Sequence, residues 1–244
     1  MEVLAFPVNI ILAILWVVAV LFLWRNHGMS RMMRFLLSPW TTVTSILLFA
    51  SGCLVLGFTC DVRMTGSWWF VAELVFLMTV LLAVLLRGWR DASGKLRVRF
   101  ILNHAGLLVV LVSLFCGIPD TDVLRMSLVP GQKSDTAFRE DGSVDKLRYV
   151  ISLDDFSTDY YDNGVPSVYE AKVRVDGRPV SIRVNDPFTA RLGEQIYLVA
   201  AGGSGDGGCV MQIVRQPWKY LTVIGILLMI AGAVMLFARG PQKK

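Results

Sequence analysis

The chain has 244 residues, of which 55% are hydrophobic, and a mean hydropathy of +0.57. That composition excludes an ordinary soluble domain and indicates an integral membrane protein. The formal charge of +5 is unevenly spread: residues 118–218 carry 11 Lys/Arg against 15 Asp/Glu, and the remainder 13 against 4. A basic membrane part joined to an acidic outer part argues against nucleic acid as a partner and fits retention of Lys and Arg on the cytoplasmic side.

Five apolar runs reach the length of about 20 residues needed to span a bilayer: Leu4–Trp24, Thr41–Cys60, Trp68–Leu86, Phe100–Gly117 and Tyr220–Ala238. The first has no basic segment before it and no small-residue cleavage pattern, so it reads as a retained helix rather than a leader. Arg25, Arg31 and Arg34 follow the first run, Arg87 to Arg99 hold five cations between the third and fourth, and Arg239, Lys243 and Lys244 close the chain. The positive-inside rule then predicts an N-terminus outside, a C-terminus in the cytoplasm, and residues 118–218 outside. Trp68, Trp69, Trp218 and Tyr220 fall at the outer interface on this reading, and Trp24, Trp40 and Trp89 at the inner one.

After Gly117 the period changes. Leu147–Phe156, Ser167–Val175, Val180–Val184, Gln195–Ala200 and Cys209–Val214 alternate apolar with polar, as half-buried strands do. Asp176-Gly177 predicts a tight hairpin turn within Ser167–Val184. Asn163-Gly164 and the Gly202–Gly208 tract supply further turns. The expected architecture is a helical membrane protein of about five spans, with one small extracytoplasmic antiparallel all-β domain inserted before the last helix. Its expected parts are a four-helix transmembrane region over 1–117, the β-domain over 118–218, and a closing helix with a cytoplasmic tail over 219–244.

Candidate chemistry is sparse. Cys53 and Cys60 lie seven apart in one run and read as buried thiols on one helix face, while Cys116 and Cys209 are candidates for a pair. No C-x-x-C or C-x-x-C-H occurs, so neither a redox dithiol nor covalent haem attachment to this chain is supported. The outer segment contains no histidine, which excludes a nucleophile–His–acid set there. Its Gly202–Gly208 tract lacks the Lys-Ser/Thr and following helix of a phosphate loop. Aspartates 154, 155, 159 and 162 read as a solvated acidic face.

His104 stands out. It lies four residues into the fourth run, about 6 Å along a helix, where hydrocarbon satisfies neither of its ring nitrogens. Two readings stay open: a cofactor ligand facing the bundle interior, or a hydrogen bond to a neighbouring helix. Asn103 is placed to orient the ring by accepting from its second N–H, and Gly106 to admit a flat ligand or another helix. His27 follows the first run among arginines; it either brackets one metal centre with His104 or is a solvated juxtamembrane residue. Glu73, the one carboxylate within a run, either extends to the outer interface or pairs with a cation of another subunit.

An ordered set of motifs then carries a resemblance. Asn103-His104-Ala105-Gly106 forms an N-H-x-G motif, followed by Val129-Pro130-Gly131-Gln132 and a strand ending in Leu153-Asp154-Asp155-Phe156. Gly164–Val175 reads G-V-P-S-x-Y-E-A-x-V-x-V, Ile182–Pro187 reads I-x-V-N-D-P, and Arg215-Gln216-Pro217-Trp218 leads into the last helix. From Phe100 to Ala238 the chain resembles the ResB family, also called CcsB-type proteins of system II cytochrome c maturation. The resemblance implies a non-catalytic, haem-handling subunit of a cytochrome c–haem lyase complex. Such a subunit works with a CcsA-type membrane partner and passes haem to apocytochrome c outside. It places an axial ligand of a transient b-type haem at His104, the second ligand coming from the partner. The tryptophan-rich haem motif of the pathway is absent here and would belong to that partner. The rival expectation is a membrane scaffold or sensor, in which His104 serves helix packing.

Overall fold

The computed structural model describes residues 4–27, 30–59, 67–164, 166–201 and 207–239. They form two compact units: 1–120 together with 218–244, and 121–217.

The first unit is helical. Its long helices are α1 (Val8–His27), α3 (Pro39–Thr59), α4 (Trp68–Gly88), α5 (Val98–Asp120) and α6 (Lys219–Arg239), with a short α2 (Arg31–Leu36) after the first. Among the described residues, the five long helices have the length and apolar composition to cross a membrane, which is compatible with a multi-pass membrane protein. Ser30 caps α2 by accepting from the Met33 amide at 3.2 Å, and Pro39 opens α3, where its missing N–H costs no bond. Helix α4 is the centre. Leu74, Leu77, Met78 and Leu81 pack with Leu111 of α5, and Val80 and Ala83 pack with Met33 and Leu36 of α2.

Helices α5 and α6 run antiparallel along a seam of small residues. A Cβ at Gly106 would stand 2.8 Å from the Gly225 carbonyl, and one at Gly225 would stand 2.8 Å from the Gly106 carbonyl. No side chain fits between them, so the backbones touch, as small-residue helix pairs in lipid do. Ser113 and Thr222 share a hydrogen bond of 2.8 Å on the same seam. At its far end Asp120 gathers three donors: the Phe6 amide at 2.7 Å, Asn9 Nδ2 at 2.8 Å and Trp218 Nε1 at 2.7 Å. One carboxylate thus ties α1, α5 and α6.

The second unit is one eight-stranded antiparallel sheet, in the order β5-β4-β3-β2-β1-β8-β7-β6. The strands are β1 (Asp122–Leu128), β2 (Lys133–Phe138), β3 (Val144–Tyr160), β4 (Pro166–Val175), β5 (Arg178–Arg183), β6 (Phe188–Arg191), β7 (Glu194–Ala201) and β8 (Cys209–Arg215). Register shifts in the β2–β3, β3–β4 and β7–β8 pairings bend the sheet, and β5 packs against β6 and β7. Inward residues from both halves, including Leu124, Ile151, Ile182, Ile196 and Met211, form the core. The expected hairpin is present: Val175 pairs with Arg178 across Asp176 and Gly177, whose φ values are 50° and 79°, as the tight primed turn requires.

Three strands go beyond those expected. The expected strands did not include β1, which follows directly on the apolar helix. Strand β2 (KSDTAF) buries only Ala137 and has no apolar alternation. Strand β6 has four residues.

The cysteine expectations need correction. Cys116 and Cys209 are both buried and both free. Cys209 lies in the sheet core opposite Leu128, and burial pushes its thiol up to about 11. Cys53 is exposed rather than buried, because α3 turns its Gly52 side toward α4 and Cys53 is one residue further round. Cys60 and residues 202–206 lie outside the described residues.

The acidic face is exposed as expected, at Asp154, Asp155, Asp159 and Asp162, and two of its carboxylates make surface ion pairs. Asp154 pairs with Arg174 at 2.8 Å and Asp155 with Lys172 at 3.3 Å, across β3 and β4. Glu170 takes Ser181 and Arg183 from β5, and the Ser181 hydroxyl, then the Arg183 charge, hold its carboxyl below the usual range.

Candidate functional site

Most of the ordered motifs build the sheet. Val129-Pro130-Gly131-Gln132 makes the β1–β2 turn: Gln132 donates its amide to the Val129 carbonyl at 3.0 Å, and Gly131, at φ 82°, donates to Leu153 at 2.8 Å. Asn185 adopts φ 65° in the turn after β5. Arg215 joins Asp145 at 2.8 Å and Glu194 at 3.2 Å. Arg139 adds Asp122 at 2.9 Å and Asp145 at 2.6 Å to that cluster. Tyr149 donates to Glu194 in the same cluster, and burial and that bond raise its hydroxyl above the ordinary phenol range. With those residues assigned to structure, the first turns of α5 remain as the place where chemistry is available.

The loop entering α5 is pinned. Asp91 accepts from the Ser93 amide at 2.8 Å, the Ser93 hydroxyl at 2.7 Å and the Lys95 amide at 2.9 Å. The Ser93 hydroxyl bond, the largest influence, holds its carboxyl below the usual range. Arg97 then reaches back and donates to the Gly88 carbonyl at 3.3 Å, satisfying an open acceptor at the end of α4.

Within α5, His104 is half-buried. Its Nδ1 lies 2.9 Å from the Phe100 carbonyl oxygen. A carbonyl only accepts, so Nδ1 carries the proton; in a neutral imidazole that leaves the lone pair on Nε2. That is the tautomer a metal-binding imidazole needs, with the second nitrogen held by a carbonyl. The ring also stacks on the Phe100 ring, with centroids 3.9 Å apart and planes at 27°.

Asn103 faces another way. Its Nδ2 donates to the Arg99 carbonyl at 3.0 Å, and its amide lies against Gly232 of α6, where a Cβ would stand 2.7 Å from Cγ. The hydrogen bond on the His104 ring comes from Phe100, not from Asn103, because consecutive helical residues point about 100° apart. Gly106 is filled by α6 rather than left open for a flat ligand. His27 is the last residue of α1, and its side chain lies outside the described residues. Among the described residues, no group of three or more His, Cys, Asp or Glu side chains is placed to hold a metal ion.

Glu73 is the other unusual group. Its Oε2 is buried against Gly52 of α3 and has no hydrogen-bond partner among the described residues. The residue as a whole is half-buried, and that oxygen turns toward α3 of this chain.

The contacts around His104 go beyond what the histidine itself signalled. Arg97, Phe100 and His104 stand at i, i+3 and i+7, a spacing that puts them on one face and could have signalled the grouping. Gly88 could not have been foreseen, since its contact with Phe100 joins two helices.

Comparison with known proteins bears on this stretch. The family model described as the ResB-like family matches residues 96–209, which include His104 and run to the start of β8. The resemblance carried by the ordered motifs therefore holds over that stretch. No curated protein matches significantly. Among solved structures, one titled "Cytochrome c Heme Lyase CcmF" aligns with a TM-score of 0.40 at 11% identity, over 79% of this chain and 33% of that one. The chain thus spans about a third of that protein's length.

Proposed function

With residues 96–209 a ResB-like segment, we propose that the chain is a haem-handling membrane subunit of cytochrome c biogenesis, of the system II type. The observation that carries this reading is the His104 ring, whose Nδ1–H is held by the Phe100 carbonyl, which turns Nε2 over to ligation. When bound, haem would supply an iron centre of the kind that imidazole ligates. His104 would hold that iron through Nε2. A CcsA-type partner would supply the remaining ligand for such a transient b-type haem.

The remaining roles follow from charge. The basic clusters support a topology in a bacterial inner membrane with the start of α5 toward the cytoplasm, the N-terminus and the β-unit outside, and the C-terminus inside. On that topology the chain would take up haem near His104 on the cytoplasmic side and present haem or apocytochrome c outside for covalent attachment. On this reading 1–117, 118–218 and 219–244 are the membrane, outer and closing parts. The chain contributes binding and orientation rather than catalytic groups.

The test is spectroscopic. Co-expressed with its membrane partner, the chain should purify with a low-spin haem band. That band should weaken in His104→Ala and return with added imidazole; a normal band in the variant refutes the ligand assignment.

A further inference from the structure

We propose that Phe100 is the positioning residue for His104, and that Gly88 and Arg97 hold Phe100 in place for that task. The inference rests on the reading of His104 as a ligand only for its purpose; the geometry of the ring stands independently.

A histidine ring on a helix turns about a broad, roughly two-fold torsion. Something must choose between its two faces and between its two nitrogens. Here the Phe100 carbonyl takes Nδ1–H, which selects the nitrogen. The Phe100 side chain stacks at 3.9 Å, which limits rotation of the plane. Both constraints come from one residue, a helical turn earlier.

Phe100 is itself held from outside α5. A Cβ at Gly88 would stand 2.5 Å from Phe100 Cζ and 2.7 Å from Cε1, so the ring occupies the space that a side chain on α4 would fill. The Arg97 guanidinium lies over the Phe100 ring, with Cζ 4.7 Å from the centroid, an arrangement favoured by the negative face of the ring. Arg97 in turn is tied to the Gly88 carbonyl. Guanidinium, phenyl and imidazole therefore form a connected set anchored on the last turn of α4. The direction of Nε2 is set by how two helices meet, not by α5 alone.

The experiment uses the full chain in two states. In the haem-free chain, diethyl pyrocarbonate acylates neutral imidazole, and peptide mass spectrometry reads its rate at His104. Phe100→Leu removes the stack but keeps the carbonyl. Gly88→Ala leaves α5 untouched and pushes the ring from α4. Both should raise the rate by about two- to tenfold, the equilibrium worth of one aromatic pair, with Ser113→Ala unchanged. In the haem-loaded complex the same two variants should shift the haem midpoint potential and increase the spectral response to imidazole. If Phe100→Leu fails to fold, Gly88→Ala carries the test. An unchanged acylation rate in Gly88→Ala overturns the proposal. An altered rate together with a normal haem band in His104→Ala supports the positioning of the ring while refuting the ligand reading.

Discussion

The two units are packed by opposite rules. In the sheet, the interior is Leu124, Ile151, Met211 and their neighbours, and ion pairs such as Asp154–Arg174 lie outside. In the helical unit the outward positions are apolar: Phe58 and Phe237 are each 86% exposed, while Asn9, Ser45 and Ser113 are buried. Water expels apolar surface and so builds the first kind of core. Helices of this length and apolarity are compatible with a membrane, where lipid as apolar as leucine gives no such drive and close backbone packing and interior hydrogen bonds do the holding. The contrast teaches where each unit is vulnerable. The sheet should fail when its core is hollowed, and the helices when their seam is filled.

Four substitutions or titrations sharpen that contrast. Ile151→Ala should have the largest effect, destabilising the sheet by about 2–5 kcal/mol through lost burial and a residual cavity; hydrogen exchange in β3 and β4 would report it. Gly106→Val should cost about 1–3 kcal/mol by overpacking against the Gly225 backbone, seen as reduced thermal stability of the helical unit in detergent with exchange in the sheet unchanged. Ser113→Ala should cost only about 0.6 kcal/mol, the average for a hydrogen bond between helices in a membrane. A loss comparable to Gly106→Val would show that polar contacts, rather than backbone proximity, hold the seam.

The smallest effect is alkaline. Cys209 is raised by burial from 9.0 to about 11. As pH rises past 9, the unfolded thiol ionises while the folded one stays protonated, so this contribution is present below about pH 9 and lost between 9 and 11. Tyr149 is raised in the same direction and adds to it. The sheet should lose stability over that window, and Cys209→Ala should flatten part of the loss.

Some of this is legible in the amino-acid sequence alone. The five apolar runs, the switch to alternating periodicity and the Asp176-Gly177 hairpin are local properties, because period and turn chemistry act over a few residues. His104 is visible because hydrocarbon satisfies neither nitrogen of an imidazole placed in an apolar run. The motif order carries the ResB-like resemblance without saying that most of its residues make turns and ion pairs.

Other features needed the tertiary structure. Strand β2 exists because β1 and β3 pair with it on both sides, and no apolar pattern of its own announces it. The assignment of Asn103 to α6, of Gly106 to a backbone contact and of Phe100 to the His104 ring depends on helices meeting across gaps of many residues. Sequence spacing determined that His104 lies about one turn inside the fourth apolar run. Only the packing of α4 and α6 on α5 decided which neighbour holds its ring, because a helix face acquires chemical meaning from what is packed against it.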